Sequence, residues 1–322
     1  MSRTSAALML SAMLAILACA DTSAAPEQSS APTHDNPPAR QALQEVTVTA
    51  QRARLAQRIL SFVDQIAARG DENDEGLPLW NVPVCPSVTG IARKQAEFLL
   101  WRVSEIARGA GVPLAGETCR PNLFIFFTAE PKRLLEAMDK RHRAVTFGLS
   151  APPLTVDEFI ATPRPVKVWY KWRKETAEYA TPNYGLQGSQ PCPFADILEN
   201  GGNGGIAPPT ICDWERSSRL TTGLVWVFSY AYVIVDATRL RGVTLQQLVD
   251  YVGMVGLAKI KPTAHLGDAP TILKLFGESS QAAPPGMTDW DQAFLKALYA
   301  TEQRLKQPRR QVANAMVQQL AH

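Results

Sequence analysis

The sequence predicts an α+β fold in which a mixed sheet packs against helices. Two segments, 52–69 and 92–108, have the apolar spacing of amphipathic helices. Two others, 121–128 and 223–237, are short apolar runs rich in strand-forming residues, and we expect them to lie buried in a sheet. Strands and helices are interspersed without strict strand–helix–strand alternation, and this order favours an α+β domain.

The first two helices are predicted from the spacing of their apolar residues. In the segment 52–69 one face carries only large apolar side chains, and the acidic, glycine-containing stretch 70–76 ends the helix. These apolar residues are Leu55, Ile59, Phe62, Val63 and Ile66. The second helix runs from about Ala92 to Arg108, where Gly109 and Gly111 stop it.

The middle of the chain adds two further helices and a half-exposed strand. The segment 130–143 is helical in pattern, and Thr155 with Glu158 forms a capping box that predicts the start of a short helix. Between Pro165 and Trp172 the side chains alternate, which is typical of a strand with one buried face. Val166, Val168, Tyr170 and Trp172 alternate there with Lys167, Trp169 and Lys171.

The remainder contains a long loop and three helices. We expect a loop at 182–213 because glycine and proline are too frequent there for a regular element, and both a variable insertion and a binding loop remain open for it. Thr244 opens the next helix. Thr288 with Asp291 forms a capping box before the helix 289–304, and 309–320 closes the chain.

The first twenty residues have the features of an export signal. Arg3 is followed by the uncharged apolar run Ala6 to Ala18, which is too short to span a bilayer. Two interpretations of its end remain open: cleavage before Asp21, which gives a soluble periplasmic protein, or lipidation of Cys19, which anchors the protein to the bacterial envelope. No later stretch has the eighteen consecutive apolar residues of a transmembrane helix.

Composition divides the exported chain into a tether and one domain. Residues 21–44 are rich in Ser, Ala, Pro, Asn and Thr, and they predict a flexible tether. Residues 45–322 form the predicted single α+β domain, and a hydrophobic content of 46% is sufficient for a packed core.

Four cysteines remain once Cys19 is removed or lipidated, and an even number in an oxidising compartment predicts two disulfides. Of the three connectivities we favour the local one, Cys85 with Cys119 and Cys192 with Cys212, because each pair brackets one coherent segment. A metal site is the alternative, but no CxxC or HxxxH spacing accompanies these cysteines.

Charge and histidine content disfavour several classes of function. The net charge is +3 without a long basic stripe, so we expect no nucleic-acid partner. Only four histidines occur, and they are isolated: His34, His142, His265 and His322. No GxSxG turn surrounds a serine, and Gly201 to Gly205 lacks the helix and GK[ST] ending of a phosphate loop.

One constellation resembles a known family. The run LQQLVDYVGMVGL, Leu245 to Leu257, resembles the active-site helix of the metzincin-type zinc peptidases, whose pattern is HExxHxxGxxH. Pro270 to Leu273 resembles the segment around their Met-turn, and Met287 to Tyr299 resembles the capped helix that follows. The chain is also similar to secreted proteobacterial proteins that carry such degenerate helices. The resemblance covers roughly residues 223–300 and implies a zincin-like arrangement of the α+β fold.

The resemblance also implies where a zinc site would lie. The first ligand falls on Asp250, the general base on Tyr251, the second histidine on Met254 and the third on Ile260, with the family's glycine displaced to Gly256. On a helical wheel, Asp250, Met254 and Leu257 lie opposite an apolar stripe. Zinc needs His, Cys, Asp or Glu ligands, and one carboxylate remains here, so we expect no zinc, no other cofactor and no hydrolysis. Two interpretations of the helix remain open: an amphipathic helix that packs on the strands of 223–237 without any ancestral site, or a degenerate, non-catalytic peptidase-like scaffold.

A second resemblance concerns the segment 45–50. Its sequence, EVTVTA, is similar to the TonB box of outer-membrane receptors, an extended segment that binds the energy-coupling protein by adding a strand. An edge strand of the domain is the other interpretation.

The sequence therefore predicts an exported envelope protein with a non-catalytic binding or scaffolding role. Its partner is an envelope protein or ligand that the sequence does not identify. One alternative is a periplasmic, peptidase-like hydrolase with an unorthodox site formed by Asp250, Tyr251 and His265. Another is a partner of a TonB-like complex that binds through 45–50.

Overall fold

The computed structural model describes residues 37–70, 75–148, 153–176, 223–262, 264–277, 283–302 and 306–321. The chain divides into two compact units, Met1–Val46 and Thr47–His322. The predictions that concern the export signal with Cys19, the loop at 182–213, and Cys192 with Cys212 lie outside the described residues. Of the first unit only 37–46 is described, and these residues are helical.

A mixed sheet lies at the centre of the second unit. Within the described residues it has four strands, in the order β1-β2-β4-β3. The strands are β1 Pro86–Thr89, β2 Leu123–Thr128, β3 Val166–Thr176 and β4 Leu224–Asp236. β1, β2 and β4 are parallel, whereas β3 pairs with β4 in the antiparallel direction. The predicted α+β class with a mixed sheet is confirmed.

Seven α-helices occur in the described part of the chain. They are α1 Pro37–Ile66, α2 Arg93–Ala110, α3 Pro131–Thr146, α4 Pro153–Ala161, α5 Leu245–Leu257, α6 Asp289–Ala300 and α7 Pro308–Leu320. Two short 3₁₀ helices, Ala237–Arg239 and Ile272–Phe276, lie on either side of α5 in the chain. None of the described helices combines the length and the apolar character that crossing a membrane requires.

The sheet separates two hydrophobic cores, and β2 shows how the sequence forms both. Its side chains alternate, so that Leu123 and Ile125 join the larger core while Phe124 and Phe126 pack against the smaller one. Helices α2, α5, α6 and α7, together with the end of α1, supply the larger core, and α3 and α4 cover the other face. β4 is buried on both faces between Ala231 and Asp236, which explains its continuous apolar sequence.

Helix α5 packs unusually close to its neighbours because of two glycines. A Cβ at Gly253 would lie 2.6 Å from Cδ1 of Ile106, and a Cβ at Gly256 would lie 3.3 Å from Leu123. The indole N–H of Trp80 donates to the carbonyl oxygen of Gly256 at 3.0 Å, and the Tyr299 hydroxyl donates to that of Leu257. The C-terminal half of α5 is therefore held by both packing and hydrogen bonds.

The capping box predicted at Thr288 is confirmed, and the helix expected to open at Thr244 also begins with a capping box. The hydroxyl of Thr244 accepts from the backbone N–H of Gln247, and that of Thr288 accepts from the N–H of Asp291. Asp291 is fully buried, and its carboxylate also accepts from Thr271 and from the backbone N–H of Ile272. This buried carboxylate ties the 3₁₀ turn at 272–276 to the start of α6.

Several elements differ from the sequence prediction. Residues 45–50, expected to be extended, lie within α1, because their β-branched side chains cost only tenths of a kcal/mol each and the good helix formers of 51–58 continue the helix. Helix α4 begins at Pro153, ahead of Thr155. Strand β1 was not predicted. The segment 223–237, which was interpreted as one or two buried strands, forms the single strand β4. Helix α6 ends at Ala300, before the expected end at 304.

The disulfide between Cys85 and Cys119 is confirmed, with Cα atoms 6.0 Å apart. It joins the chain just before β1 to the chain just before β2, and the N–H of Cys85 also donates to Oδ1 of Asn122. The bridge therefore supports the parallel pairing of two neighbouring strands.

We expect the double variant Cys85→Ser/Cys119→Ser to lose about 3–4 kcal/mol of unfolding free energy, the loop-entropy value for the 34-residue separation. Urea unfolding of the mature protein measures this loss. A reductant should lower the stability of the wild-type chain more than that of the double variant, which retains only the predicted pair of Cys192 with Cys212. Equal midpoints for the oxidised wild type and the variant would contradict a stabilising role for this bridge.

Candidate functional site

A cavity of about 790 Å³ lies beside the outer edge of β3, and we call it the β3 cavity. Four successive residues of β3 line it: Lys167, Val168, Trp169 and Tyr170. Successive side chains of a strand point to opposite faces of the sheet. A space that all four reach must therefore lie beside the strand rather than over one face. No residue of β4 lines it, so the cavity is on the side of β3 that faces away from the sheet.

Two groups of segments form the walls of the β3 cavity. On one side are α4, with Thr155, Glu158 and Phe159, and the turn 162–165 that leads into β3. On the other side are Tyr251 and Val255 of α5, the segment 259–262 after it and the 3₁₀ turn with Leu273 and Phe276. Aromatic and aliphatic side chains predominate in this lining.

The free edge of β3 presents backbone groups to this space. The N–H of Asp236 donates to the carbonyl oxygen of Pro165 at 2.8 Å, so in the antiparallel register the odd positions 165, 167 and 169 bond to β4. The N–H and C=O groups of Val166, Val168 and Tyr170 then point away from β4. No other strand among the described residues pairs with them. The alternation continues along β3, because the bulge opposite Lys171 and Trp172 has its extra residue, Ser229, in β4.

The Tyr170 side chain joins β3 to the end of α5. Its hydroxyl lies 2.7 Å from the carbonyl oxygen of Val255 and 3.0 Å from that of Ala258, and the N–H of Ile260 approaches it at 3.5 Å. Burial raises the pKa of Tyr170 well above its usual value. This neutral, hydrogen-bonded tyrosine keeps the strand and the helix at a fixed separation on one wall of the cavity.

Tyr251 is the polar residue of α5 that lines the cavity. Its ring packs edge-on against Phe276 with centroids 4.8 Å apart, and burial raises the pKa of its hydroxyl to about 12. The group is therefore protonated at neutral pH and can donate a hydrogen bond. Within the described part of the chain its hydroxyl has no hydrogen-bond partner.

The remaining positions implied by the zinc-peptidase resemblance lie in two different places. Asp250 is 1% exposed, and its carboxylate accepts from Arg102 Nε at 2.6 Å, Gln246 Nε2 at 2.8 Å and the N–H of Met287 at 2.7 Å. Met254 is fully buried in the larger core. Ile260, by contrast, lines the cavity with Tyr251. Asp250 therefore forms a buried ion pair, and Met254 packs in the larger core. The face of α5 that was expected to be separate from the core is itself buried.

The face of α5 that opens to the cavity carries Tyr251 and Val255, followed by Lys261 beyond the helix. These positions have the spacing of the implied ligand positions Asp250, Met254 and Ile260, but each lies one residue later. A phenol, an alkyl group and an ammonium group are not zinc ligands. His142 and His265 are exposed and do not line the cavity, and the described residues contain no group of three His, Cys, Asp or Glu side chains that could hold a metal.

The cavity includes residues that sequence reasoning did not identify. Arg164, Lys259 and Lys261 line it in addition to Lys167, which was seen only as a position of the half-exposed strand. The signal that could have indicated the site is the alternation in 165–172, since a strand with Lys and Trp on one face is suited to a sheet edge.

No family model matches the chain, and comparisons with curated proteins and with solved structures found no match either.

We expect Asp250→Ala to lower the unfolding free energy by about 3 kcal/mol, the low end for breaking a buried ion pair, because the side chain of its partner Arg102 is 25% exposed. The change leaves the guanidinium and the N–H of Met287 without an acceptor. Thermal and urea unfolding measure the effect.

The matched control is Glu97→Ala, which removes the exposed pair with Arg93 and should change stability by less than about 0.5 kcal/mol. Stoichiometric zinc in the wild type that disappears in Asp250→Ala, with stability unchanged, would instead favour the metal-ligand interpretation of Asp250.

Proposed function

We propose that the chain is an exported, non-catalytic binding protein of the bacterial envelope, whose β3 cavity holds an extended peptide. The observation that carries the proposal is the open backbone edge of Val166, Val168 and Tyr170 beside a cavity of about 790 Å³. A peptide that lies against such an edge adds a strand to the sheet. Its main chain then supplies affinity, and the cavity walls supply selectivity for its side chains.

The dimensions and the lining support this mode of binding. Five residues from Val166 to Tyr170 span about 17 Å at the rise of a β-strand, enough for a peptide of similar length. The aromatic and aliphatic walls, including Phe159 and Phe276, suit the apolar side chains of an extended ligand.

The residue types at α5 support binding rather than hydrolysis. Tyr251, Val255 and Lys261 face the cavity, and Asp250, the carboxylate of the suggested hydrolase, is engaged by Arg102 in the core. In our proposal the domain is a degenerate, zincin-like scaffold that has kept the space of a peptide cleft while the metal-ligand positions have changed. Its resemblance to the metzincins and the position of α5 at the cavity support this view.

The disulfide and the N-terminal sequence support export. A bridge such as Cys85–Cys119 persists in an oxidising compartment, which agrees with a signal that ends near Cys19. In our proposal the residues between the signal and α1 tether the binding domain within the envelope.

We expect the protein recovered from a bacterial envelope fraction to lack its first residues. Intact-mass measurement should give either a chain that begins at Asp21 or one that begins at a lipid-modified Cys19. Cys19→Ala should convert the lipidated form, if present, to a soluble one without changing the fold of the domain. Recovery of a chain that still begins at Met1 in the cytoplasm would contradict export.

We expect the mature protein to select members of a random octapeptide library, and Val168→Pro to weaken the selected peptides at least tenfold. Proline removes the N–H of residue 168, which points away from β4, so the sheet itself loses no hydrogen bond. Fluorescence anisotropy with labelled peptides measures the loss.

Val168→Ala is the matched control, because it shortens the side chain but keeps the N–H, and it should retain binding within about threefold of the wild type. Equal affinity for Val168→Pro and Val168→Ala would contradict strand addition. Turnover of a selected peptide in the presence of zinc would contradict the non-catalytic part of the proposal and favour the hydrolase.

A further inference from the structure

We infer that the β3 cavity recognises a carboxylate group of the bound peptide, which Arg164 and Lys261 hold together with the hydroxyl of Tyr251. This inference rests on the proposed function, since it specifies the chemistry of the peptide that the cavity accepts. It is carried by an imbalance of charge in the lining and by the hydrogen-bond donors that the described residues leave unused.

The lining contains more positive than negative side chains. Arg164, Lys167, Lys259 and Lys261 line the cavity, and Glu158 is the acidic residue among the lining residues. No carboxylate among the described residues forms an ion pair with Arg164, Lys167 or Lys261. Positive side chains beside a largely apolar wall attract an anion more strongly than they would at an open surface, because less water screens the interaction.

Two of the four cations already serve the fold. Lys167 is 4% exposed, and its ammonium donates to the carbonyl oxygens of Phe159 and Ile160 at the end of α4. Burial is the main cause of its lowered pKa. Lys259 places its ammonium 3.6 Å from the centroid of the Trp172 ring and donates to the carbonyl oxygen of Arg69. We therefore do not assign the ammonium groups of Lys167 and Lys259 to the binding of a ligand carboxylate.

Arg164 and Lys261 retain donors. The guanidinium of Arg164 makes one long hydrogen bond, 3.4 Å from Nη1 to the carbonyl oxygen of Pro262, out of the five N–H groups that it carries. The ammonium of Lys261 donates to the carbonyl oxygen of Asp64 at 2.6 Å and has two more hydrogens.

Burial, and next the charge of Arg309, lower the pKa of Lys261, whereas the carboxylate of Asp64 raises it. That carboxylate lies 3.8 Å from Nη1 of Arg309, so it is shared with a second cation. A ligand carboxylate would relieve the repulsion among these positive groups.

Tyr251 adds a neutral donor to the lining that it shares with Arg164 and Lys261. Burial raises the pKa of its hydroxyl, and the positive charge of Arg164 partly opposes that rise. A planar guanidinium and a phenolic O–H together offer donors that suit the two oxygens of a carboxylate. The carboxylate can come from an Asp or Glu side chain of the peptide or from its C-terminus.

Two forms of one random octapeptide library distinguish these sources. One form has a free C-terminus, and the other has its C-terminus joined to the carrier. If the cavity recognises the C-terminal carboxylate, selection should yield binders from the form with a free C-terminus only. If it recognises a side-chain carboxylate, Asp and Glu should be enriched among the binders from both forms. The strongest peptide is then synthesised as matched pairs, with Glu against Gln and free acid against amide. Removal of the recognised carboxylate should weaken binding at least tenfold.

The ratio of the affinity for the acidic peptide to the affinity for its neutral counterpart should fall to about twofold or less in Arg164→Gln and in Lys261→Gln. The affinity for the neutral peptide should stay nearly unchanged. Arg93→Gln is the control, because it removes an exposed positive charge on α2 that does not line the cavity. Circular dichroism checks that each variant folds.

The outcomes separate the two proposals. Neutral peptides that bind as tightly as acidic ones, with binding still lost in Val168→Pro, would overturn the carboxylate inference and leave the proposed function standing. A preference for carboxylate that persists in both Arg164→Gln and Lys261→Gln would overturn the assignment to these residues. Absence of any selected peptide would overturn the proposed function and this inference together.

Discussion

The close packing of α5 is the constraint on which the rest of the structure depends. Gly253 and Gly256 let the helix approach α2 and β2 closely, since a Cβ at either position would require Ile106 or Leu123 to shift. The indole of Trp80 and the hydroxyl of Tyr299 donate to carbonyl oxygens at the end of α5 and support that approach. The packing of α5 therefore helps to set where its Tyr251 and Val255 lie relative to β3.

The same constraint explains why Asp250 is a structural residue. A carboxylate on the buried side of α5 needs compensation, and Arg102, Gln246 and the N–H of Met287 provide it. Gly286 completes the arrangement, since a Cβ there would lie 2.7 Å from Oδ2 of Asp250. The ion pair fixes the rotation of the helix about its axis, and with it the identity of the residues that reach the cavity.

Local signals in the sequence predicted much of the fold. The capping boxes at Thr244 and Thr288 and the apolar spacing of α1 and α2 act within a few residues, so they can be recognised without knowledge of the fold. Strand β1 has only four residues and is set by its pairing with β2, which no local pattern reveals. The residues 45–50 show the converse case, because a strand-like composition is overridden within a long helix.

The candidate site was less predictable because its parts are distant in the chain. The wheel of α5 separated an apolar stripe from the face of Asp250 and Met254, but both faces are buried, and the α5 residues that line the cavity include Tyr251 and Val255. Arg164, Tyr251 and Lys261 are separated in the chain, and the fold places all three in the lining of one cavity. A single sequence contains no spacing that reports such an arrangement.

The bulge opposite Lys171 and Trp172 has a consequence for any strand that would join β3. Its extra residue is Ser229 of β4, so β3 itself keeps the alternation of inward and outward backbone groups. A bulge increases the local twist, and the far end of β3 therefore turns away from the direction of its first residues, Val166 to Tyr170. An irregularity in β4, one strand away from the open edge, thus limits how far a straight extended chain could follow β3.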